Sequence, residues 1–461
     1  MRYPTSTLIA LFALTLSGCS SFNSGQEIEA TNRELAEFTS GDLRLNRDSQ
    51  ETSERLIVRE ALLAASLTQD AAVRVALLGS PALQVLLETE TARIADARRN
   101  GRLDNPSFTY ERLRADDVTD ISRILSFGLL ELLTLPQRQR IAAAETEAAQ
   151  LRLAMSVVDE VTRVRQSWVR AVAAQQRFRY AERILESAAA SAELAKRMEA
   201  AGNFNRISRA RQQAFEADAR TKFLLAKQEA TASREALVRA LGLDDADASK
   251  LRLPERLPEV PKNALGADVI SARVTAERLD LRLAESTWRA AARRNGLGEV
   301  TTRTDIDLGI IRDGEAKGYE IEVRLPVFDY GDLDRRVLDG RARAALNNLE
   351  ETARAAGSHI REAYAGYLAA HEVARNHLDE LVPLRRTISD ESLLRYNGMI
   401  IGVFELLADA REQVTIVIAA IGAEEQFWLA DAALKASLMG RPTTMALSAP
   451  SAADSNAAKG H

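Results

Sequence analysis

From Gln137 to Ala201 the chain contains neither proline nor glycine, and no proline occurs between Pro136 and Pro254. Few folds tolerate so long a run without a breaker. Taken as one helix, residues 137–199 are roughly 95 Å long at ~1.5 Å per residue. No ordinary globular domain accommodates that length, although 461 residues would otherwise suggest several. Leu151, Ala154, Val158, Val161, Trp168 and Val172 sit at heptad a/d spacing, with Arg165 at an a position among them. So narrow a stripe predicts a coiled-coil seam rather than the broad face of a globular helix. Gly202-Asn203 ends the run, and Phe204 to Leu241 reads as a helix returning antiparallel to the first.

Composition narrows the function classes. Lys and Arg number 61 against 66 Asp and Glu, both signs are interspersed, and no basic block points to nucleic acid. Four histidines and one cysteine do not make a Cys/His zinc centre, and no disulfide forms within one chain. His359, His371 and His377 are spaced too widely for neighbours at i,i+4 and are expected to be solvated helix positions. There is no Gly-x-Ser-x-Gly elbow, phosphate-binding loop or nucleophilic cysteine, so neither an enzyme nor a cofactor is expected.

The single cysteine, Cys19, follows an N-terminal Arg2, the apolar run Leu8–Leu16, and the small pair Ser17-Gly18. That is the layout of a secretory signal, too short for a permanent membrane helix. Leu16-Ser17-Gly18-Cys19 resembles a bacterial lipobox, which implies acylation of Cys19 and cleavage before it. By the same resemblance, Ser20, being other than Asp, favours export to the outer membrane. No later run of about 18 apolar residues occurs, so any spanning structure has to be a β-barrel.

The second half of the chain repeats the first. Ala97-Arg98-Arg99-Asn100-Gly101 recurs as Ala292-Arg293-Arg294-Asn295-Gly296, Leu135-Pro136 as Leu325-Pro326, and Gly202 as Gly398. Three matches in the same order at nearly equal offsets indicate a duplication. Each half also holds a strand-like insert. Thr302 to Ile310 and Tyr319 to Leu325 alternate apolar with polar residues around a polar loop at 313–318, which predicts a β-hairpin. Ser107–Arg114 and Ile124–Leu135 are the weaker counterparts. A soluble ribbon covering a helix is the alternative, but an isolated ribbon is marginal, and about ten residues suit a bilayer crossing. Four strands are too few for a barrel, so several chains would share it.

The expected organisation is a signal peptide over 1–18 and a lipidated, extended linker over 19–56. A first repeat over 57–250 has strands at about 106–136 and a helical hairpin at 137–241. A linker over 251–263 leads to a second repeat over 264–440, with strands at 301–327 and a hairpin at 334–438. A disordered tail completes the chain over 441–461. Pro383 is expected to kink the last hairpin.

These features resemble the TolC-like outer-membrane efflux proteins over roughly Ile57 to Leu438. The matching pieces are Ala76–Gln84, Asn105-Pro106, Arg324–Gly331, Tyr396-Asn397-Gly398 and Phe404–Arg411; Ser80-Pro81 departs from the family's usual Asn-Pro. The resemblance implies a mainly α fold, with long antiparallel coiled-coil hairpins forming a periplasmic α-barrel. Four strands per chain would enter a shared twelve-stranded transmembrane β-barrel in a homotrimer. It further implies an exit duct of a tripartite efflux or type I secretion system in the outer membrane of a Gram-negative bacterium. That duct would be a passive pore opened by binding of a periplasmic adaptor, which links it to an inner-membrane transporter. Gly202, Asn203, Tyr396, Asn397 and Gly398 become candidates for the adaptor-facing tip. Glu405 and Asp409, at i,i+4, become candidates for a cation-attracting gate, with solvated helix surface as the alternative. Because charge facing lipid is costly, Arg303, Asp305, Asp307, Glu320, Glu322 and Arg324 are expected to face the barrel lumen. Phe108, Tyr110, Phe328 and Tyr330 are candidate interfacial aromatics, or strand-end packing. A lipid-anchored coiled-coil scaffold or adaptor without a pore is the competing reading.

Overall fold

The computed structural model describes residues 22–47, 49–115, 118–267, 278–302, 304–313 and 316–443. The signal segment, Cys19, Arg303 and residues 444–461 lie outside the described residues.

Two rods dominate. Helix α5, Leu129–Ala200, has 72 residues and is about 108 Å long. Its counterpart consists of α9 (Asp332–Asn376), a π turn at His377–Leu381, and α10 (Val382–Asn397). The π turn lies just ahead of Pro383, which has no N–H to donate to the preceding turn, so the expected irregularity is present there. Each rod reverses at its far end into a helix of about half its length: α6 (Arg206–Leu241) after α5, and α11 (Val403–Leu438) after α10. Towards the opposite end the vacated places are filled by α4 (Pro81–Arg99) beside α5, and by α8 (Leu279–Thr301) between α5 and α9. The helical layer is thus four helices wide at both levels.

Strands β1 (Ser107–Ala115), β2 (Val118–Gly128), β3 (Ile306–Asp313) and β4 (Ala316–Val323) form one antiparallel sheet in sequence order. They continue α4, α5, α8 and α9 respectively, so strand order repeats helix order. The sheet extends the helical layer.

Four expectations about boundaries fail for local reasons. Residues 129–135 are helical, not strand, and Pro136 sits inside α5; the run Leu129-Leu130-Glu131-Leu132-Leu133 favours a helix by propensity. In the second half, Thr302 caps α8 and β3 begins only at Ile306, with pairing that extends to Asp313 and Ala316, within the expected loop. The Ala292–Gly296 match lies within α8, whereas Ala97–Gly101 ends α4. The 19–56 stretch is no extended linker in its described part. Helix α1, Ser24–Thr39, is N-capped by Asn23 and buries Ile28, Leu35 and Phe38 against α5, while α2 spans Ser49–Ala64. A polar composition had concealed that i,i+7,i+10 stripe.

The heptad residues are buried, but not as a narrow seam. Leu153, Val157, Val164, Val169 and Ala173 are buried beside them, because this part of α5 is enclosed by α1, α3 (Gln69–Gly79), α4, α8 and α11. Two of its side chains hold neighbouring chain ends. Arg165 donates to the Phe38 carbonyl at 2.6 Å and lies over the Phe38 ring, and Trp168 donates to the Leu67 carbonyl at 2.8 Å. After the short helix α7 (Asp245–Lys250), residues 251–263 are likewise a packed strap rather than a free linker. Leu251, Leu257 and Val260 are buried, and Trp428 donates to the Pro258 carbonyl. His371, expected to be solvated, is buried between Tyr367 and Phe427 and bonds the Pro261 carbonyl at 2.8 Å. The expected tail is anchored where it begins, by Arg441 paired with Asp159 on α5.

Candidate functional site

Strand pairing sorts the sheet's side chains into two unlike faces, since directly paired residues share a face and neighbours along a strand do not. One face carries Phe108, Leu125, Ile310 and Tyr319 in one row and Phe127, Leu308 and Ile321 in the next; Ile306 and Val323 follow. Most of these are large and well exposed, Tyr319 reaching 77%. The opposite face carries Ser107, Ser126 and Glu320 around Gly309, then Asp307 with Glu322, and Glu111 with Ser122 and Asp313. Exposure also alternates. Along β2, Arg123 and Leu125 on the first face are exposed, whereas Ser122, Ile124 and Ser126 are half-buried. In the two central strands the polar face is therefore the more enclosed, which inverts the ordinary pattern of a soluble sheet, while β1 and β4 are exposed on both faces.

The expected lumen residues behave as a set. Asp305, Asp307, Glu320, Glu322 and Arg324 lie on the polar face, and Arg324 approaches Asp305 to 4.0 Å. Asp307 stands directly opposite Glu322. A like-charged pair at that spacing is unfavourable unless water solvates both. Of the aromatics, Phe108 and Tyr110 share the apolar face, and Phe328 and Tyr330 lie beyond β4 with Phe328 fully exposed. Both sheet edges, β1 and β4, lack a neighbour among the described residues. Open edges with a bare apolar face are not a stable end state in water.

At the other end, both helical tips close by the same hydrogen-bonded motif. After α5, Gly202 N–H bonds the Glu199 carbonyl and Asn203 N–H bonds that of Met198; after α10, Met399 bonds Tyr396 and Ile400 bonds Arg395. The left-handed position is thus Gly202 (φ +78°) in one tip and Met399 (φ +57°) in the other. Gly398, the glycine matched by sequence, has φ −82° and lies one residue before it. Gly202, Asn203, Tyr396, Asn397 and Gly398 are all exposed, as are Met399 and Ile400. The tips lie side by side, since Phe204 and Phe404 stack with centroids 4.4 Å apart. Further along, Arg411 on α11 lies 3.6 Å over the Phe215 ring of α6 and donates to Gln212 at 2.7 Å. The gate candidates Glu405 and Asp409 are not equivalent: Glu405 is exposed, whereas Asp409 accepts from Ser392 on α10. Sequence reasoning missed Phe204, Gln212, Phe215 and Arg411. The recurrence of Phe just after each tip was the available signal.

Higher up, Arg177 on α5 bridges Glu229 of α6 at 2.7 Å and Glu425 of α11 at 2.5 Å. Among the described residues no three His, Cys, Asp or Glu side chains converge as metal ligands, and no single helix is long and apolar enough to cross a membrane.

No protein-family model matches the sequence, and no curated protein does. Solved structures do match. The outer-membrane channel CmeC of Campylobacter jejuni superimposes with a TM-score of 0.66 at 13% identity, over 84% of this chain and 86% of that one. The outer-membrane protein VceC of Vibrio cholerae gives 0.65 at 14%, over 80% and 96%. The open-state channel MtrE of Neisseria gonorrhoeae gives 0.62 at 16%, over 84% and 91%. The fold is that of the TolC-like outer-membrane channels. In this TolC-like fold, the two-faced sheet and the paired tips stand at opposite ends of the same helical layer.

Proposed function

We propose that the chain is one protomer of an outer-membrane exit duct in a tripartite efflux or type I secretion system. The observation that carries this is the sheet. Its four strands have two open edges, an exposed apolar face and a polar face that is half-buried in the two central strands. Copies of the chain satisfy all three features at once by closing the edges into a barrel with a wet lumen. Three copies supply twelve strands, as the family resemblance implies.

In this reading Asp305, Asp307, Glu320, Glu322 and Arg324 line the lumen, together with Arg303. Acylated Cys19 anchors the mature N-terminus in the membrane, and the helices stand in the periplasm. The exposed tips meet a periplasmic adaptor, through which an inner-membrane transporter is engaged. The Phe204–Phe404 stack and the Arg411 contacts hold the two hairpins of one protomer together near the aperture, and Glu405 and Asp409 present acid there. Transport is passive diffusion, and energy comes from the inner-membrane partner. A poreless scaffold would leave the bare apolar face and open edges without purpose. Purified protein reconstituted in a planar bilayer is expected to give discrete conductance steps that follow the trimer fraction; silence from folded trimer would overturn the duct.

A further inference from the structure

The sheet separates charge as sharply as it separates polarity. Among the described strand residues, every cation lies on the apolar face: Arg112, Arg114, Arg123, Arg312 and Lys317. Every acid lies on the other: Glu111, Asp120, Asp307, Asp313, Glu320 and Glu322. The cations are also confined in height. Pairing puts Arg123 opposite Arg312, and Arg312 opposite Lys317, with Tyr110 completing the row; Arg112 and Arg114 follow further towards the hairpin ends. Below that row the face is wholly apolar down to Ile306 and Val323. Lys317 to Val323 spans about 20 Å at ~3.4 Å per residue.

Three cations in adjacent strands at directly opposed positions repel one another. All five are exposed, and none has an ion-pair partner among the described residues. A charge on the lipid side of an apolar band is costly in hydrocarbon but not at its polar boundary, and the row stands at that boundary. It lies on the side away from the helices, and therefore at the outward-facing leaflet. We propose that this row is a docking site for phosphate groups carried by lipids of the outward-facing leaflet. Neighbouring strands hold the cations about 4.7–5.5 Å apart, a spacing at which one phosphate bridges two of them. Guanidinium groups bind phosphate oxygens in bidentate fashion, and Tyr110 beside the row and Tyr319 one row below are suited to the headgroup level. The lipid thus neutralises a row that the protein itself leaves unbalanced. This site rests on the membrane-spanning reading of the sheet.

The test compares full-length protein in neutral detergent with the triple variant Arg123→Gln/Arg312→Gln/Lys317→Gln. Retention of diphosphoryl lipid A, of the same lipid stripped of phosphate, and of phosphatidylcholine is measured by native mass spectrometry. Wild type is expected to retain the phosphorylated lipid selectively, and the triple variant to bind it about 100-fold more weakly. Retention by wild type should also fall as NaCl is raised, a readout that needs no variant. Equal retention by the triple variant, or equal binding of the stripped lipid, would overturn the site. Displacement by inorganic phosphate would overturn its assignment to lipid. In parallel, Tyr319→Trp fluorescence is read in vesicles of brominated phosphatidylcholine. Quenching together with unselective retention refutes the phosphate site alone, whereas absence of quenching refutes the membrane reading and the site with it.

Discussion

Ile310 and Ile311 are adjacent, identical in chemistry, and on opposite faces of β3, so they offer a matched test of which face meets lipid. Ile310 shares its row with Phe108, Leu125 and Tyr319 and is 55% exposed. Ile311 shares its row with Thr109, Ile124 and Gly318, two residues from Asp313 on the acidic face. An arginine facing lipid costs about 2–4 kcal/mol at the bilayer centre and about 0–1 kcal/mol at its edge. Position 310 lies one row inside the basic boundary, so Ile310→Arg is expected to cost about 2 kcal/mol per chain. That is roughly 30-fold in the folding equilibrium, and the loss recurs in every chain of the barrel. Ile311→Arg places the same charge in the wet lumen beside acids and should cost less than about 1 kcal/mol. The assay is urea-dependent folding into phosphatidylcholine vesicles, followed by tryptophan emission and by heat-resistant mobility on gels. If Ile311→Arg is as damaging as Ile310→Arg, or more so, the assignment of faces is wrong.

Other consequences follow from the helical part. A Cβ at Gly331, where φ is +68°, would stand 2.4 Å from the Thr302 carbonyl oxygen, a backbone atom that cannot turn aside. Gly331→Ala should therefore lose about 2–4 kcal/mol, whereas Gly340→Ala, in open space within α9, should gain about 0.5–1 kcal/mol; urea midpoints measure both. Arg165→Met strands the buried Phe38 carbonyl at about 1–3 kcal/mol, partly offset because a buried guanidinium no longer needs desolvating. Hydrogen exchange over residues 24–39 should accelerate, and unchanged protection would deny Arg165 its anchoring role. Burial pushes the Glu424 carboxyl up from its ordinary 4.5 to about 7, against a smaller opposing pull from Arg256. The folded chain thus holds a proton that the unfolded chain releases, and stability falls as pH rises from about 4.5 to 7. Linkage alone gives about 3 kcal/mol, which partial exposure reduces to roughly 1–2 kcal/mol. Glu424→Gln should flatten that slope in pH-dependent melting; an unchanged slope would place its origin elsewhere.

How far the fold was legible depended on how local its causes were. The breaker-free run announced α5, because helix propensity needs no partner to be expressed, and Gly202 announced its end. Period-two alternation located β3 and β4 to within a few residues, and it placed the acids of the second hairpin on one face. The first hairpin was less clear, since Leu129-Leu130 and Leu132-Leu133 continue its apolar character into what is already helix. At the tips, the sequence match pairs Gly398 with Gly202, whose φ is +78°. The hydrogen-bonded closure instead puts Met399 in that left-handed position, and a closure of that kind has no residue signature when methionine accepts the strained position.

By itself the sequence determined the lengths: two rods of about 100 Å, a short strand pair in each repeated half, and reversals at both tips. These follow from where glycine, proline and period-two patterning fall along the chain. Only the tertiary structure decided which strands are neighbours, and pairing is what converts alternation within each strand into two coherent faces. Arg123, Arg312 and Lys317 are scattered over some two hundred residues of chain, and no local pattern relates them. Register sets them at one height on one face, because a one-residue slip would turn a whole strand over. The strap at 251–263 and the N-terminal helix were settled in the same way, by burial against helices that the chain reaches only later.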